Sequence, residues 1–453
     1  MKRPPRAPVL VMTSLLVLPL AALSCRSAQP QPLSPSTDFA ESRRLAREAY
    51  GRQDYAGAAQ HFREALRIAP AHPSLLYNLA AMETLLGKHD DAIGILEQLA
   101  GLDLYLGVAS EDAFTPLRED PRFQEIVGRL AKNREATHVT SSVLIRFTGR
   151  GLIPEGLAFD ETTGRFFVSS VRERKILRVT PEGRTSEFAG SNSGLLSAMG
   201  MRADSDRRVL WVATSAAPQM ERFEPSDRGA AMILKFDFDS GQLLKKYAPD
   251  LPHAESPEGG VAGPSEHWFG DLTLAPDGTV YVTDSTQPEI YRITPSEDRL
   301  ELLIRDGRFQ SLQGIDLSRD GQKLFVADYS TGLYRIDLGT GLVTHLASPP
   351  SPSLIGIDGL YRCGDDLLAV QNGITPNRLL RITLVPRADQ VLRVHVIDRN
   401  HPQYNEPTLG VVTGDRFAYI ANSQWGAVDK DNQLIDADKL EDPVILGLEL
   451  SCR

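Results

Sequence analysis

Hydrophobic residues follow two different periods along this chain. From residue 39 to residue 132, apolar residues recur every three or four positions, the spacing that places them on one face of a helix. From about Ser141 to the end, apolar and polar residues alternate in short runs, which is the period of a half-buried strand. The pattern therefore predicts an α+β multidomain protein, with an all-α domain followed by an all-β domain.

The helical segment repeats itself at an interval of 34 residues. Small alanines let two antiparallel helices approach closely, and larger apolar residues fill the remaining space. The residues that carry this pattern are Leu45, Ala46, Tyr50, Ala58, Phe62, Ala65, Leu66 and Pro70 in the first unit, and Asn78, Leu79, Ala80, Gly87, Ala92, Leu96 and Leu102 in the second. The segment resembles two tetratricopeptide repeats, and we assign residues 38–135 to it, including a capping helix over residues 111–132. The resemblance implies a concave groove that binds a protein partner; the alternative is a spacer.

The strand-like runs recur as a second, longer repeat. Its anchor residues lie 44, 70, 44, 43 and 51 positions apart, at Phe167, Trp211, Tyr281, Phe325, Leu368 and Tyr419. A unit of roughly 40–50 residues with several short strands predicts a β-propeller, here of six blades over residues 139–453. The last blade lacks a fourth strand at its C-terminal end. We expect the early strand Val143–Thr148 to supply it and so to remove the free edge.

The residues before the helices predict export. Lys2, Arg3 and Arg6 precede an apolar stretch that is too short to span a bilayer and ends at Ser24-Cys25. This layout resembles a bacterial lipoprotein signal in which Cys25 is lipidated; the alternative is ordinary secretion with cleavage nearby. Residues 1–24 are then a signal peptide, and residues 25–37, rich in Pro and Ser, a flexible tether. We expect a protein exported to the bacterial envelope, at the outer membrane or periplasmic side, that contacts the membrane through its lipid alone.

Charge and cysteine content exclude some functions. The chain has 49 Lys and Arg against 59 Asp and Glu, a net charge of −10, which argues against a nucleic-acid surface. Three cysteines make neither a disulfide framework nor a CxxC zinc site. Cys363 and Cys452 are available to pair in an oxidising compartment, and the sequence leaves that pairing open.

Oxygen-bearing side chains recur at the start of the predicted innermost strands. The first residues of blades one to five lie 12 or 10 positions before the anchors, so an even spacing predicts a common facing toward the channel. The four that carry oxygen are Glu155, Asp271, Gln313 and Asp358. Three carboxylates repel one another unless they are protonated or bridged by a cation. The all-oxygen set favours Ca²⁺, with Mg²⁺ or Mn²⁺ as alternatives and Zn²⁺ less favoured.

Residues 150–450 resemble the senescence-marker-protein/gluconolactonase (regucalcin-like) six-bladed propellers. "PEGLAFD" carries Glu155 and "IDGLY" carries Asp358, both of the residue type that the family uses. Asp271 and Gln313 stand where the family has Asn, and both keep an oxygen donor. The resemblance implies that these four residues hold a divalent cation, that Asp358 is the catalytic general base, and that the substrate is a small-molecule lactone or ester.

Two further residues on the same face, Arg172 and Asn372, are candidates for substrate binding, although a purely structural role is favoured for each taken alone. Two long insertions, residues 216–232 and 249–269, are expected to overhang the same mouth of the channel. The first interpretation is an envelope-anchored, divalent-metal-dependent hydrolase with a helical-repeat arm for a protein partner. The alternative is a non-catalytic binding or scaffolding lipoprotein.

Overall fold

The computed structural model describes residues 35–249, 266–429, 432–435, 437–450 and 452. Cys25, the predicted signal peptide, most of the predicted tether and most of the insertion at 249–269 lie outside these ranges. The described residues form two compact units, one of helices and one of strands, which confirms the predicted fold class. No helix among the described residues is long and apolar enough to cross a membrane.

The first unit consists of antiparallel helices packed through small residues. Its α-helices are α1 (Pro35–Gly51), α2 (Tyr55–Ile68), α3 (Pro73–Leu85), α4 (His89–Ala100) and α5 (Pro121–Glu135). Short 3₁₀ turns at Val108–Ser110 and Asp112–Leu117 lie between α4 and α5. Ala46, Ala58, Ala65, Ala80 and Ala92 are fully buried between the helices, as the repeat requires. Local caps fix the starts of two helices, since Asp54 accepts from the Gly57 amide and Asp120 from the Arg122 amide.

The second unit is a ring of six four-stranded antiparallel sheets. Blade one holds β2 (Pro154–Asp160), β3 (Arg165–Ser170), β4 (Lys175–Val179) and β5 (Thr185–Ala189); blade two holds β6 (Ser197–Asp204), β7 (Val209–Ser215), β8 (Ala231–Asp237) and β9 (Leu243–Tyr247). Blade three holds β10 (Phe269–Leu274), β11 (Val280–Asp284), β12 (Glu289–Ile293) and β13 (Leu300–Arg305); blade four holds β14 (Leu312–Leu317), β15 (Lys323–Asp328), β16 (Gly332–Asp337) and β17 (Val343–His345). Blade five holds β18 (Ile357–Cys363), β19 (Asp366–Gln371), β20 (Arg378–Leu384) and β21 (Val391–Arg399).

The sixth blade is built from both ends of this unit. It combines β22 (Gly410–Thr413), β23 (Arg416–Ile420) and β24 (Val444–Glu449) with β1 (Ser142–Arg146). Strand β1 pairs antiparallel with β24, with Ser142 opposite Gly447 and Arg146 opposite Val444. The predicted closure of the ring by the early strand is therefore present.

A disulfide joins Cys363, the last residue of β18, to Cys452, just beyond β24. It links blade five to the end of blade six. The pairing of Cys363 with Cys452, which the sequence left open, is therefore present. Because 89 positions separate the two cysteines, the bond restricts a long stretch of the unfolded chain.

Candidate functional site

A β-bulge marks the innermost strand pair of each of the first five blades. The pairing register shifts between Pro154 and Leu157, between Ala198 and Met201, between Phe269 and Leu272, between Leu312 and Ile315, and between Ile357 and Gly359. These intervals contain Glu155, Met199, Asp271, Gln313 and Asp358, the first residues of the five predicted innermost strands. Bulges redirect side chains and recur beside functional sites. Four of the five directly follow the first residue of their interval, whereas Asp271 stands one position later, so the register gives a common facing to those four and not to Asp271.

Close backbone contact between neighbouring blades explains the glycines beside these residues. A Cβ on Gly156 would lie 2.2 Å from the Met199 carbonyl oxygen, and one on Gly200 would lie 2.5 Å from Asp271 Oδ1. The Ser169 hydroxyl accepts from the Gly156 amide at 2.6 Å and donates to the Met199 carbonyl at 2.9 Å. Blades one, two and three are thus held together directly around the channel.

Glu155 is buried, with 7% of its surface exposed, and is held by the sixth blade. Its Oε2 accepts a hydrogen bond from the Trp425 indole at 2.7 Å. Its carbonyl oxygen accepts from the Thr408 hydroxyl at 3.0 Å and from the Leu409 amide at 3.2 Å. Both its backbone and its carboxylate are therefore fixed by the segment that closes the ring.

Asp358 is oriented by a short hydrogen-bond chain. Asn372 Nδ2 donates to Asp358 Oδ2 at 2.7 Å and to the Pro407 carbonyl at 3.0 Å. The Tyr329 hydroxyl donates to Asn372 Oδ1 at 3.0 Å. Asn372 thus lies within the site, where its contacts position Asp358.

Asp271 is paired with an arginine that the sequence analysis did not single out. Arg202 Nη1 and Nη2 lie 3.2 and 3.3 Å from the two carboxylate oxygens of Asp271. Arg202 also donates to the Met201 carbonyl at 2.9 Å and lies 5.4 Å from the centre of the Tyr361 ring. Arg202 directly follows the uncharged run 197–201 of an innermost strand, and this charge was the signal that could have found it.

Gln313 lies beside the innermost strand of blade three. A Cβ on Gly270 would be 3.3 Å from Gln313 Oε1, and Gln313 Nε2 is 3.4 Å from the Ser311 hydroxyl. Its amide oxygen therefore lies against the segment that carries Asp271.

Glu406 adds a fourth carboxylate to the group. It lies in the segment that precedes blade six, its φ of 68° is in the left-handed region, and its Oε2 accepts from the Trp425 amide at 2.9 Å. Non-glycine residues in this region are strained and cluster at functional sites. Sequence analysis missed Glu406 because the spacing in the sixth blade departs from that of the other five.

Burial raises the pKa of each carboxylate, and neighbouring negative charge adds to the effect at Glu155, Asp271 and Asp358. Burial raises the pKa of Glu155 well above its usual value, and the negative charges of Asp358 and Glu406 add to the effect. Burial also raises the pKa of Asp358 to about 7, with the Asn372 amide opposing and the charges of Asp271 and Glu406 contributing. Burial raises the pKa of Asp271 to about 6 against the influence of Arg202. Groups that repel in this way share one site.

The donor set fits a hard divalent cation. Four carboxylates face one guanidinium, that of Arg202, and the neutral amide of Gln313 contributes a further oxygen. Oxygen donors with excess negative charge are what Ca²⁺ or Mg²⁺ requires. The residues present are therefore chemically suited to a cation at this mouth of the channel.

Arg172 is engaged by loops. Its Nη1 donates to Asn432 Oδ1 at 2.9 Å and to the carbonyl oxygens of Asn432 and Gln219 at 3.3 Å. Its carbonyl oxygen accepts from the Glu221 amide. These contacts hold the insertion at 216–232 in place. They give Arg172 a structural role that does not require a substrate.

Two family models match the chain. Residues 49–103 match the tetratricopeptide repeat, and residues 151–347 match the SMP-30/Gluconolactonase/LRE-like region. The resemblance to tetratricopeptide repeats and the resemblance to the gluconolactonase-like propellers are thereby confirmed. No curated protein matches the chain.

Several solved structures are similar to this chain. A gluconolactonase from Xanthomonas campestris shares 15% identity over 67% of this chain and 87% of its own, with a TM-score of 0.44. An aldose sugar dehydrogenase from Streptomyces coelicolor shares 16% sequence identity over 69% of this chain and 99% of its own, with a TM-score of 0.45. A virginiamycin B lyase from Staphylococcus aureus shares 15% sequence identity over 68% of this chain and 98% of its own, with a TM-score of 0.43.

Proposed function

We propose that this protein is a divalent-metal-dependent hydrolase of lactones or esters. The observation that carries the proposal is the buried group of Glu155, Asp358 and Glu406: burial raises the pKa of all three, and the charge of Glu406 raises the pKa of Glu155 and Asp358 further. The match of residues 151–347 to the SMP-30/Gluconolactonase/LRE-like region supports the reaction class. We propose Ca²⁺ as the cation, held by Glu155, Asp271, Gln313 and Asp358.

When bound, such a cation stabilises negative charge on a carbonyl oxygen and makes water a stronger acid. In the proposed reaction, Asp358 accepts a proton from the attacking water, whose oxygen adds to the carbonyl carbon. The ring C–O bond then breaks, and the departing alkoxide takes up the proton to give a hydroxy acid. Asn372 holds the Asp358 carboxylate in one orientation throughout.

The test compares two neutralising substitutions in the same blade. Asp358→Asn should abolish turnover of a lactone and aryl-ester panel and leave the circular dichroism spectrum unchanged. Asp366→Asn is the matched control, because Asp366 lies at the other end of blade five, in an ion pair with Arg381. Turnover of lactones or esters that persists in Asp358→Asn, or that a chelator does not reduce, would contradict the proposal.

One observation favours a second function. Arg202 already neutralises Asp271, and Trp425 already satisfies an oxygen of Glu155, so part of the ring is stable without a cation. A propeller of this kind would hold ligands without chemistry, as a binding or scaffolding lipoprotein. Elemental analysis of the purified protein separates the two functions, since the scaffold would carry no metal and show no turnover.

We also propose that the protein is lipidated at Cys25 and exported to the envelope, and that its helical repeats bind a protein partner. The disulfide between Cys363 and Cys452 supports an oxidising compartment. The repeat match at residues 49–103 supports a partner groove. Cys25→Ser should move the protein from the detergent phase to the aqueous phase in Triton X-114 partitioning; an unchanged distribution contradicts lipidation.

A further inference from the structure

A second cluster of ligating side chains lies in blade three, separate from the residues of the proposed central site. His267, Asp284 and Glu289 are 5%, 0% and 3% exposed. Each offers a nitrogen or oxygen, and these three atoms lie within 4.8 Å of one another. Ligands of one zinc ion, bound at about 2.0–2.2 Å, lie roughly 3 to 4 Å apart, so modest side-chain movement would close the cluster on an ion.

The histidine is prepared as a ligand. His267 Nδ1 lies 2.6 Å from Asp284 Oδ2, and because a carboxylate only accepts, Nδ1 carries a proton; in the neutral imidazole Nε2 then carries the lone pair. Metal-binding histidines commonly donate their second nitrogen to a carboxylate in this way. His267 Nε2 is buried and has no hydrogen-bond partner among the described residues. An unsatisfied acceptor of this kind calls for a ligand.

Space for further ligands adjoins the cluster. His267 and Glu289 line a cavity of about 520 Å³ together with Tyr291, Arg299 and Arg305. Glu289 accepts from the Tyr291 hydroxyl and from Arg305 Nε at 2.7 Å. Arg305 is 63% exposed along its side chain, so water screens its charge and the guanidinium can turn outward. Water in the cavity can then complete the coordination of an ion.

The next blade provides an internal comparison. Asp328 occupies in blade four the place of Asp284, since it lies opposite Leu312 as Asp284 lies opposite Phe269. Both oxygens of Asp328 accept from backbone amides: Oδ2 from Gln310 and Ser311, and Oδ1 from Ser330 and Thr331. In blade four, therefore, both carboxylate oxygens of Asp328 serve to hold the backbone of the turn.

Blade three departs from that arrangement at both flanking positions. The corresponding backbone amides, those of Trp268, Thr286 and Gln287, donate to Asp284 Oδ1, and Oδ2 binds His267 instead. Where blade four has Gln310 and Gly332, blade three has His267 and Glu289. The backbone turn in blade four forms without either residue, so the histidine and the glutamate are additions that place a nitrogen and a carboxylate beside Asp284.

We propose that His267, through Nε2, and Glu289 bind a divalent transition-metal ion of the Zn²⁺ class, and that Asp284 orients the imidazole. An imidazole nitrogen beside a carboxylate suits Zn²⁺ better than Ca²⁺, which prefers oxygen alone. The site is independent of the proposed hydrolase activity, because none of its three residues belongs to the central ring.

The experiment is equilibrium dialysis of the full chain against Zn²⁺, followed by elemental analysis. A background of Glu155→Gln with Asp358→Asn removes ligands of the central ring. In that background the chain should bind one Zn²⁺, and His267→Gln should weaken binding at least tenfold while keeping a donor for Asp284. His345→Gln, in blade four, is the matched control and should bind as the background does.

Glu289→Gln is a second test of the proposed site, because the glutamine side chain still fits beside Tyr291 and Arg305. It should also weaken Zn²⁺ binding at least tenfold, and it decides the matter alone if His267→Gln fails to fold by circular dichroism. The proposal is overturned if the background binds no Zn²⁺, if neither substitution weakens binding, or if His345→Gln weakens it equally.

Discussion

The guanidinium of Arg202 pairs with both oxygens of Asp271 inside the propeller channel, at 3.2 and 3.3 Å. This pair joins the innermost strands of blades two and three. It also sets the charge of the candidate site, because it neutralises one of the four carboxylates. Among the described residues, the other three carboxylates, on Glu155, Asp358 and Glu406, are not paired with a cationic side chain.

Arg202→Met should make the chain dependent on a divalent cation. Removing one member of a buried ion pair costs about 3 kcal/mol, because the other charge is left uncompensated. Without metal, urea denaturation should show a loss of about that size; saturating Ca²⁺ should restore much of it. Arg202→Met with Asp271→Asn is the control and should lose far less stability. Equal stability of the single variant and wild type without Ca²⁺ would contradict the role given to this pair.

Trp425→Phe tests the hydrogen bond to Glu155. The substitution removes the indole donor from a buried carboxylate, and a hydrogen bond to a charged group contributes about 1.5–3 kcal/mol. Thermal unfolding should detect the loss, and Ca²⁺ affinity measured by calorimetry should fall. Trp211→Phe is a matched control, because Trp211 Nε1 is buried with no partner among the described residues. If Trp211→Phe reduces Ca²⁺ affinity as much, the indole donor is not the cause.

Cys452→Ser tests the disulfide. Loss of a bond that closes a loop of 89 positions should lower the free energy of unfolding by about 2–5 kcal/mol. Urea denaturation with and without a reducing agent measures it. The reducing agent should destabilise the wild type and leave the variant unchanged. A wild type that is insensitive to reduction under unfolding conditions would show that the bond contributes little.

His72 makes the helical unit sensitive to acid. Burial lowers its pKa from 6.5 to about 3, and the nearby charge of Arg43 adds to the effect. In the unfolded chain His72 therefore becomes protonated near pH 6.5, whereas in the folded chain it becomes protonated only near pH 3. Stability is fully present above pH 6.5 and declines toward pH 3, by about 1.4 kcal/mol per pH unit.

His72→Asn should flatten that decline. Asparagine retains an acceptor for the Leu75 amide at the start of α3 and does not titrate. Urea denaturation followed by circular dichroism at 222 nm, at pH 7.5 and pH 5, compares the two proteins. The variant should lose less stability than the wild type across this interval, and parallel losses in both would contradict the argument.

Periodicity predicted much of the architecture because it reports burial directly. The alanines of the repeats and the alternating strands each bury one face, so their spacing indicated helices and blades. The closing strand was predictable for a similar reason, since a blade with a missing strand leaves an exposed edge.

The details of the candidate site were less accessible to sequence analysis. Arg202 and Glu406 reach the carboxylates from another strand and from a loop, and no fixed spacing relates them to Asp271 or Glu155. The bulges that direct the side chains into the channel also break the period on which the sequence argument relied. Whether the predicted ligands hold a cation stays a prediction.

The pairing of β1 with β24 has a consequence for biogenesis. The two partners are about 300 residues apart, so forming this contact requires closure of a very long loop. A chain made from its N-terminus cannot complete the sixth sheet until its last strand has been synthesised. Translation or secretion that stops early would leave β1 without its partner strand and would expose the apolar faces of blades one and five that the sixth blade covers, a species that proteases and aggregation would remove.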